Sequence, residues 1–438
     1  MTDRDGRDPG RLTTRETAEL LGVKPETVYA YVSRGQLSSR RAPGGRGSTF
    51  DADEVRALAG RTGRREPVAA AGEFAFRTGI TLIGPARYCY RGVDAVELAG
   101  QYGFEAVAEW LWTGELRPET RFTAPPEALA AARRAVGALP AHSGPTDRLR
   151  VAVVAAAAAD PLRYDLAPSS VLGGARGLIP TLVDALPEIG RAEAGAAPGT
   201  DAGTAGPGAA AAPRLADRLW PRLTARPADP AALHVLDTAL TLLIDHDLAA
   251  STLAARVAAS ARAHPYAVVS AGLGVLEGPL HGAASGQAHR MLADVVERGG
   301  AVPVVAEHLR AGRPVPGLGH RLYTGEDPRA RALFALLERV GHASAALEAA
   351  RDVVAVTARH QPLHANVDLA LAVLSVSCGM PAEAGETVFA VARTAGWIAH
   401  ALEEYAERPL RLRPTGQYTG PPPPQPLPRP ATGARVMP

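Results

Sequence analysis

PGLGHRLYTGEDPRA, residues 316–330, places His320 directly after the glycine-rich turn Gly317-Leu318-Gly319 and Arg329 nine residues further on. From Arg329 to Val340 apolar residues recur at helical spacing. The same period runs through Val96–Trp112, Leu233–Asp245, Ala249–Ala263, Gln287–Arg298, Ser344–Thr357, Leu369–Ser377 and Gly385–Glu407. Strand signals are few, and only Gly79–Leu82 with Arg87–Tyr90 suggests a small hairpin. The spacing therefore predicts an all-α main body from Gly72 to about Tyr418.

Composition agrees. The chain has 438 residues, 46 % of them hydrophobic and only 5 % aromatic. An alanine-rich, aromatic-poor chain favours close-packed helices over sheets. At about 100–200 residues per domain the length allows two to four domains. Lys+Arg 47 against Asp+Glu 45 excludes a globally basic nucleic-acid coat and an acidic solvating protein. Cys89 and Cys378 cannot build a disulfide framework, and no Cys/His cluster has zinc spacing. No signal peptide is visible at the N-terminus, and the apolar runs fall short of the ~18 residues that span a bilayer. A cytoplasmic location, with no membrane partner, is the expectation.

The main body is flanked by other material. Residues 1–10 read as a disordered charged tail, 61–72 as a linker, 191–213 as an Ala/Gly/Pro/Thr-rich disordered insert and 419–438 as a Pro-rich tail. Residues 11–60 form a compact unit. Helices are expected over Thr14–Leu21 and Pro25–Arg34, a hairpin or loop over Leu37–Phe50, and a third helix after the N-cap Asp51.

Four segments of the main body carry candidate chemistry. IDHDLAAST (244–252) sets His246 between two aspartates. EGPLHGAA (277–284) sets His281 before Gly282. The 316–330 stretch carries His320 and Arg329, and HANVDLALA (364–372) sets Asp368 at the start of an apolar helix. Arg393 in VARTAGW and Arg413 in RLRPTGQY add cations. Three histidines, one carboxylate and three arginines suit carbon–carbon bond formation between a thioester and a dicarboxylic 2-oxo acid. A thioester methyl is a weak carbon acid, so a carboxylate base needs a hydrogen-bond donor on the developing enolate. A second imidazole can polarise the ketone, and arginines match carboxylates with paired hydrogen bonds. Taken singly, each residue has a plainer reading: His246 in a core, Asp368 as a helix cap, Arg393 in an ion pair. His142, His234, His264, His289, His308, His342, His360 and His400 lack such context and read as structural.

The motifs DH-x-x-x-AST, GPLHG, GxGHR-x-Y-x-x-x-DPRA, NVD and RTxGW-x-AH occur here in the order of one family, and residues 73–418 resemble citrate synthase. The resemblance implies a large helical domain and a small one, about 285–390, that close on substrate in a homodimer. It implies that Asp368 takes the acetyl-CoA methyl proton, His281 stabilises the enol and His320 polarises the oxaloacetate carbonyl. His246, Arg329, Arg393 and Arg413 would hold the carboxylates, Arg413 reaching in from the other subunit, while Gly317, Leu318 and Gly319 contact CoA. It implies an acyltransferase of the tricarboxylic acid cycle that yields citrate, with acetyl-CoA as substrate and no metal or resident cofactor. Glu277 stands where the family often has a basic residue, and Ala365 where it usually has proline. Two alternatives stay open: propionyl-CoA as substrate, giving 2-methylcitrate, and a regulator whose main body senses acyl-CoA or oxaloacetate.

The pattern LTTRETAELLGVKPETVYAYVSRGQL resembles the helix-turn-helix of the MerR and excisionase-like families. This implies a small winged helix-turn-helix domain ahead of the main body. Glu26, Thr27 and Tyr29 would approach base edges and Arg34, Arg40, Arg41 and Arg46 the phosphates. A helical appendage that packs on protein is the other reading.

Overall fold

The structure, a computed structural model, describes residues 11–21, 23–33, 36–41, 47–55, 58, 76–84, 87–190, 212–278, 281–412, 419–422 and 424–425. The expected tail 1–10 and linker 61–72 lie outside the described residues, as do nearly all of the insert 191–213 and most of the tail 419–438. The chain divides into two compact units, Met1–Arg77 and Thr78–Pro438.

The first unit runs β1 (Arg11–Thr13), α1 (Thr14–Leu21), α2 (Pro25–Ser33), β2 (Ser39–Arg41), β3 (Ser48–Asp51) and a helical turn α3 over residues 52–55. Thr13 and Glu16 form a reciprocal cap that starts α1: Glu16 accepts from the Thr13 N–H at 2.8 Å and Thr13 Oγ1 from the Glu16 N–H at 3.3 Å. Asp51 Oδ1 accepts from the N–H groups of Asp53 and Glu54, the expected N-cap of α3. The strands form an antiparallel sheet in the order β1-β3-β2, with Leu12 opposite Phe50 and Arg40 opposite Thr49. Ala18, Val28, Leu37, Phe50, Val55 and Leu58 make its core. Two helices and a β2–β3 wing match the expected organisation.

The second unit opens with an antiparallel sheet, β4 (Thr81–Ile83), β5 (Tyr88–Tyr90) and β6 (Val93–Asp94), which includes the expected hairpin. Helices follow: α4 (Ala95–Gln101), α5 (Phe104–Thr113), α6 (Pro126–Gly137), α7 (Pro145–Ala159), α8 (Pro168–Ala185) and α9 (Leu215–Leu219). Next come α10 (Pro230–Leu242), α11 (Ala250–Ser260), α12 (Pro265–Leu276), α13 (Ala284–Arg298) and α14 (Ala301–Arg310). The last are α15 (Pro328–Leu337), α16 (Ser344–Ala358), α17 (Val367–Ser377) and α18 (Ala384–Ala406). The stretch 96–112, expected as one helix, is two. α4 ends at Gln101, and α5 restarts after Gly103, where the Asp237 carboxylate accepts from the Phe104 N–H at 3.3 Å.

α18 is the central element, packing on α5, α8, α10, α11, α12, α13 and α17. α13, α14, α16 and α17 pack on one another, and α10 meets α15. Small residues permit the close approaches. A Cβ on Gly272 of α12 would lie 2.6 Å from the ring of Trp397, which is wholly buried on α18. Among the described residues no helix is long and apolar enough to cross a membrane. Cys89 and Cys378 are both free and buried.

Candidate active site

Five segments meet at one cleft of about 540 Å³. The α10–α11 loop brings His246, the segment before α13 brings His281, the loop before α15 brings His320, and the starts of α15 and α17 bring Arg329 and Asp368. α18 contributes Phe389 and Arg393. Six of the seven side chains singled out for chemistry thus face one cavity. The seventh, Arg413, lies outside the described residues.

Asp368 is not the cap of its helix. Asn366 holds that position, its Oδ1 accepting from the Asp368 N–H at 3.0 Å. The Asp368 carboxylate is half-buried and finds no hydrogen-bond partner among the described residues. Burial pushes its pKa up to about 6, with Arg329 opposing the rise and Asp327 adding to it.

The histidines are kept neutral. His281 has its pKa lowered to about 4 by burial and then by Arg393, and its Nε2 lies 2.8 Å from Ser251 Oγ. Burial and then Arg329 bring His320 to about 4 as well. Its Nδ1 accepts from the Leu322 N–H at 3.0 Å, so the single ring proton sits on Nε2. Arg329 Nη2 stands 3.4 Å from that Nε2, and since both are then donors this is a contact, not a hydrogen bond. His246 is buried, and burial followed by Arg329, Arg393 and His320 holds its pKa well below the usual imidazole value. Its ring lies 5.1 Å from that of His320, nearly perpendicular, and its Nε2 is 2.9 Å from the Tyr323 hydroxyl.

The two arginines differ. Arg329 is clamped by Asp327, Nε to Oδ1 at 3.0 Å and Nη2 to Oδ2 at 2.8 Å. Asp327 Oδ2 also accepts from the Val367 N–H at 3.1 Å, joining the starts of α15 and α17. Arg393 is only 1 % exposed; Nε donates to the Leu243 carbonyl at 3.0 Å, and the guanidinium lies 4.6 Å above the Phe389 ring. Both Nη atoms are buried with no hydrogen-bond partner among the described residues. A guanidinium left so in a protein interior is strongly disfavoured unless an anion joins it.

Gly317, Leu318 and Gly319 are not walls of this cleft. They form a loop stitched to the segment before Asp368: Gly319 N–H to His364 O at 2.7 Å, Asn366 N–H to Gly317 O at 2.9 Å. Gly317 has φ +80°, and a Cβ there would meet Leu369 at 2.8 Å, so only glycine fits. Behind His246, His400 Nε2 lies 3.2 Å from the buried Asp245, and its Nδ1 lies 2.8 Å from Arg256. Glu277 pairs with Arg150 at 2.6 Å. Ser251, Tyr323, Asp327, Asn366 and Phe389 were not singled out from the sequence. All but Phe389 lie inside the quoted motifs, which was the available signal. Among the described residues no group of three or more His, Cys, Asp or Glu is placed to hold a metal.

In the first unit, Thr27 and Tyr29 are exposed on α2, and Arg40 and Arg41 on β2. The side chain of Glu26, with Arg34 and Arg46, lies outside the described residues.

A helical body whose catalytic-type groups meet between helix starts defines the class, and comparison with known proteins specifies it. The family model "Citrate synthase, C-terminal domain" matches residues 69–415, and a helix-turn-helix domain model matches residues 11–62. The chain belongs to the citrate synthase family. It is 38 % identical over 188 residues to citrate synthase of Haloferax volcanii, 42 % of this chain and 49 % of that protein. It is 32 % identical over 210 residues to citrate synthase 2 of Bacillus subtilis, 47 % of this chain and 56 % of that one. The chain thus spans about half the length of the curated relatives it matches. Citrate synthase of Thermotoga maritima superposes with a TM-score of 0.60 at 26 % identity, over 82 % of this chain and 98 % of that one. The fold is shared with a ternary complex of Thermoplasma acidophilum citrate synthase with carboxymethyl coenzyme A and oxaloacetate. That match has a TM-score of 0.60 at 22 % identity, over 84 % of this chain and 98 % of that one.

Proposed function

We propose that the chain condenses acetyl-CoA with oxaloacetate and hydrolyses the product to citrate and CoA. The observation that carries this reading is that the two Nη atoms of buried Arg393 have no hydrogen-bond partner among the described residues, in the same cleft as the Asp368 carboxylate, which likewise has none among them. Arg393 would take one oxaloacetate carboxylate through two N–H groups, with Arg329 and His246 serving the other. Asp368 would remove a methyl proton from the thioester. With the Ser251 hydroxyl donating to Nε2, His281 keeps its proton on Nδ1 for the enolate oxygen. The enol carbon attacks the ketone carbon, and the ketone oxygen takes a proton from His320. Water then cleaves the citryl thioester. A neutral imidazole suits both donor roles, because a cation there would repel Arg329 and Arg393.

The remaining roles follow the same reading. Gly317, Leu318 and Gly319 would contact CoA, and Arg413 would enter from the second subunit of a homodimer. Release of free thiol from acetyl-CoA, dependent on oxaloacetate, tests the activity; a parallel run with propionyl-CoA reads the acyl choice. Absence of release from the folded chain would favour the ligand-sensing regulator.

The first unit would dock on DNA. This is supported by the exposure of Thr27 and Tyr29 on α2 and of Arg40 and Arg41 on the wing strand β2. A gel-shift titration at two salt concentrations tests it: Arg40→Ala with Arg41→Ala should weaken binding and flatten its salt dependence. No retardation at low salt would support the protein-packing appendage instead.

A further inference from the structure

His246 and His320, both assigned above to oxaloacetate, are neutral, so each ring carries one proton. Its position decides which nitrogen can donate to a substrate oxygen. For His320 the Leu322 N–H settles it, by occupying Nδ1 at 3.0 Å. The next residue, Tyr323, has its hydroxyl 2.9 Å from His246 Nε2 and no other hydrogen bond among the described residues. A phenol is a better donor than an imidazole N–H, and a lone-pair ring nitrogen is a better acceptor than a phenol oxygen, so the proton in this bond belongs to the tyrosine. The Tyr323 side chain is buried, its ring 4.8 Å from that of His320 and 5.9 Å from the Arg329 guanidinium. One aromatic residue therefore touches three of the groups assigned to oxaloacetate.

We propose that Tyr323 is a positioning residue for oxaloacetate: its hydroxyl, donating to His246 Nε2, keeps the His246 proton on Nδ1, while its ring sets the orientation of His320. Two consecutive residues, Leu322 and Tyr323, thus hold the two imidazoles in opposite tautomers. Each ring then keeps one N–H donor, on Nδ1 of His246 and Nε2 of His320, without becoming a cation. The kinetic part of this inference rests on the citrate-synthase reading; the tautomer part does not.

Ring-nitrogen NMR of histidine-labelled full chain without substrate tests it, the His246 signals being assigned with His246→Gln. Wild type should show His246 protonated on Nδ1 and His320 on Nε2. In Tyr323→Phe the His246 pattern should become a mixture of tautomers while His320 stays as it was. The oxaloacetate KM should rise about tenfold, the loss expected for one hydrogen bond of ~1.4 kcal/mol, with the acetyl-CoA KM unchanged. Wild-type His246 protonated on Nε2 overturns the proposal, even if Tyr323→Phe does not fold. So does an unchanged His246 pattern in Tyr323→Phe. A wild type with no turnover would sink the catalytic reading alone, because the nitrogen spectra are read without substrate.

Discussion

The Asn366 side chain donates from Nδ2 to the Gly319 carbonyl at 2.9 Å, while its Oδ1 caps the helix that starts beside Asp368. One amide therefore fixes the loop that carries His320 and the turn that carries the proposed base. The neighbouring Leu318–Ala365 bridge adds to the same seam. Asn366→Ala removes both bonds at once. Losing the cap should lower stability by about 1–2 kcal/mol, read as a lower urea midpoint. The loosened seam should cut kcat about tenfold while leaving the helical circular dichroism intact. Wild-type kcat in this variant would mean that the seam does not set the distance between base and imidazole.

With Asp368 as the proposed base, it should set the acid limb of the pH profile. Its pKa is raised to about 6, and only the carboxylate can take a proton. His281 and His320 titrate near 4 and stay neutral across that window. Thiol release per unit of free enzyme should therefore fall about tenfold per pH unit below pH 6 and level off above it. A limb centred near 4 or near 7 would assign the titration to other groups.

Arg393 should matter more for binding than for folding. Among the described residues its two Nη atoms have no hydrogen-bond partner, which opposes burial, and only Nε is bonded, to Leu243. Arg393→Met fills similar volume without the charge. It should leave the thermal midpoint no lower than wild type while raising the oxaloacetate KM at least about a hundredfold. A large drop in midpoint would show the guanidinium to be part of the folded scaffold instead.

Gly272→Ala tests the central packing. The added methyl would sit 2.6 Å from two carbons of the Trp397 ring, in the interior of α18. The variant should lose about 1–3 kcal/mol, seen as a lower denaturant midpoint. An unchanged midpoint would mean that α12 can retreat without cost.

Much of this was legible in advance, because helical periodicity is a local signal. The expected helix over 385–407 is α18, Ala384–Ala406, and the one over 344–357 is α16, Ser344–Ala358. The six chemical side chains that the structure describes were readable because their glycine, proline and acidic neighbours lie beside them in the chain. What stayed hidden depends on partners far apart in sequence. Ser251 meets His281 across 30 residues, and Tyr323 meets His246 across 77. No period records such pairs. The break between α4 and α5 was hidden for the same reason, since Asp237 lies 133 residues from the Phe104 N–H that it holds. The cap of α17 was within reach, because asparagine is a strong N-cap and Asn366 directly precedes the helical run.

The most direct test of the whole account compares wild type with Asp368→Asn in the thiol-release assay with acetyl-CoA and oxaloacetate. The amide keeps the shape of the carboxylate but cannot accept the methyl proton. It also removes a group whose charge the fold disfavours above pH 6, so the variant should unfold at a higher temperature than wild type at pH 7. The account predicts oxaloacetate-dependent release by wild type and a loss of about a thousandfold in a folded Asp368→Asn. Equal rates in the two proteins would contradict it.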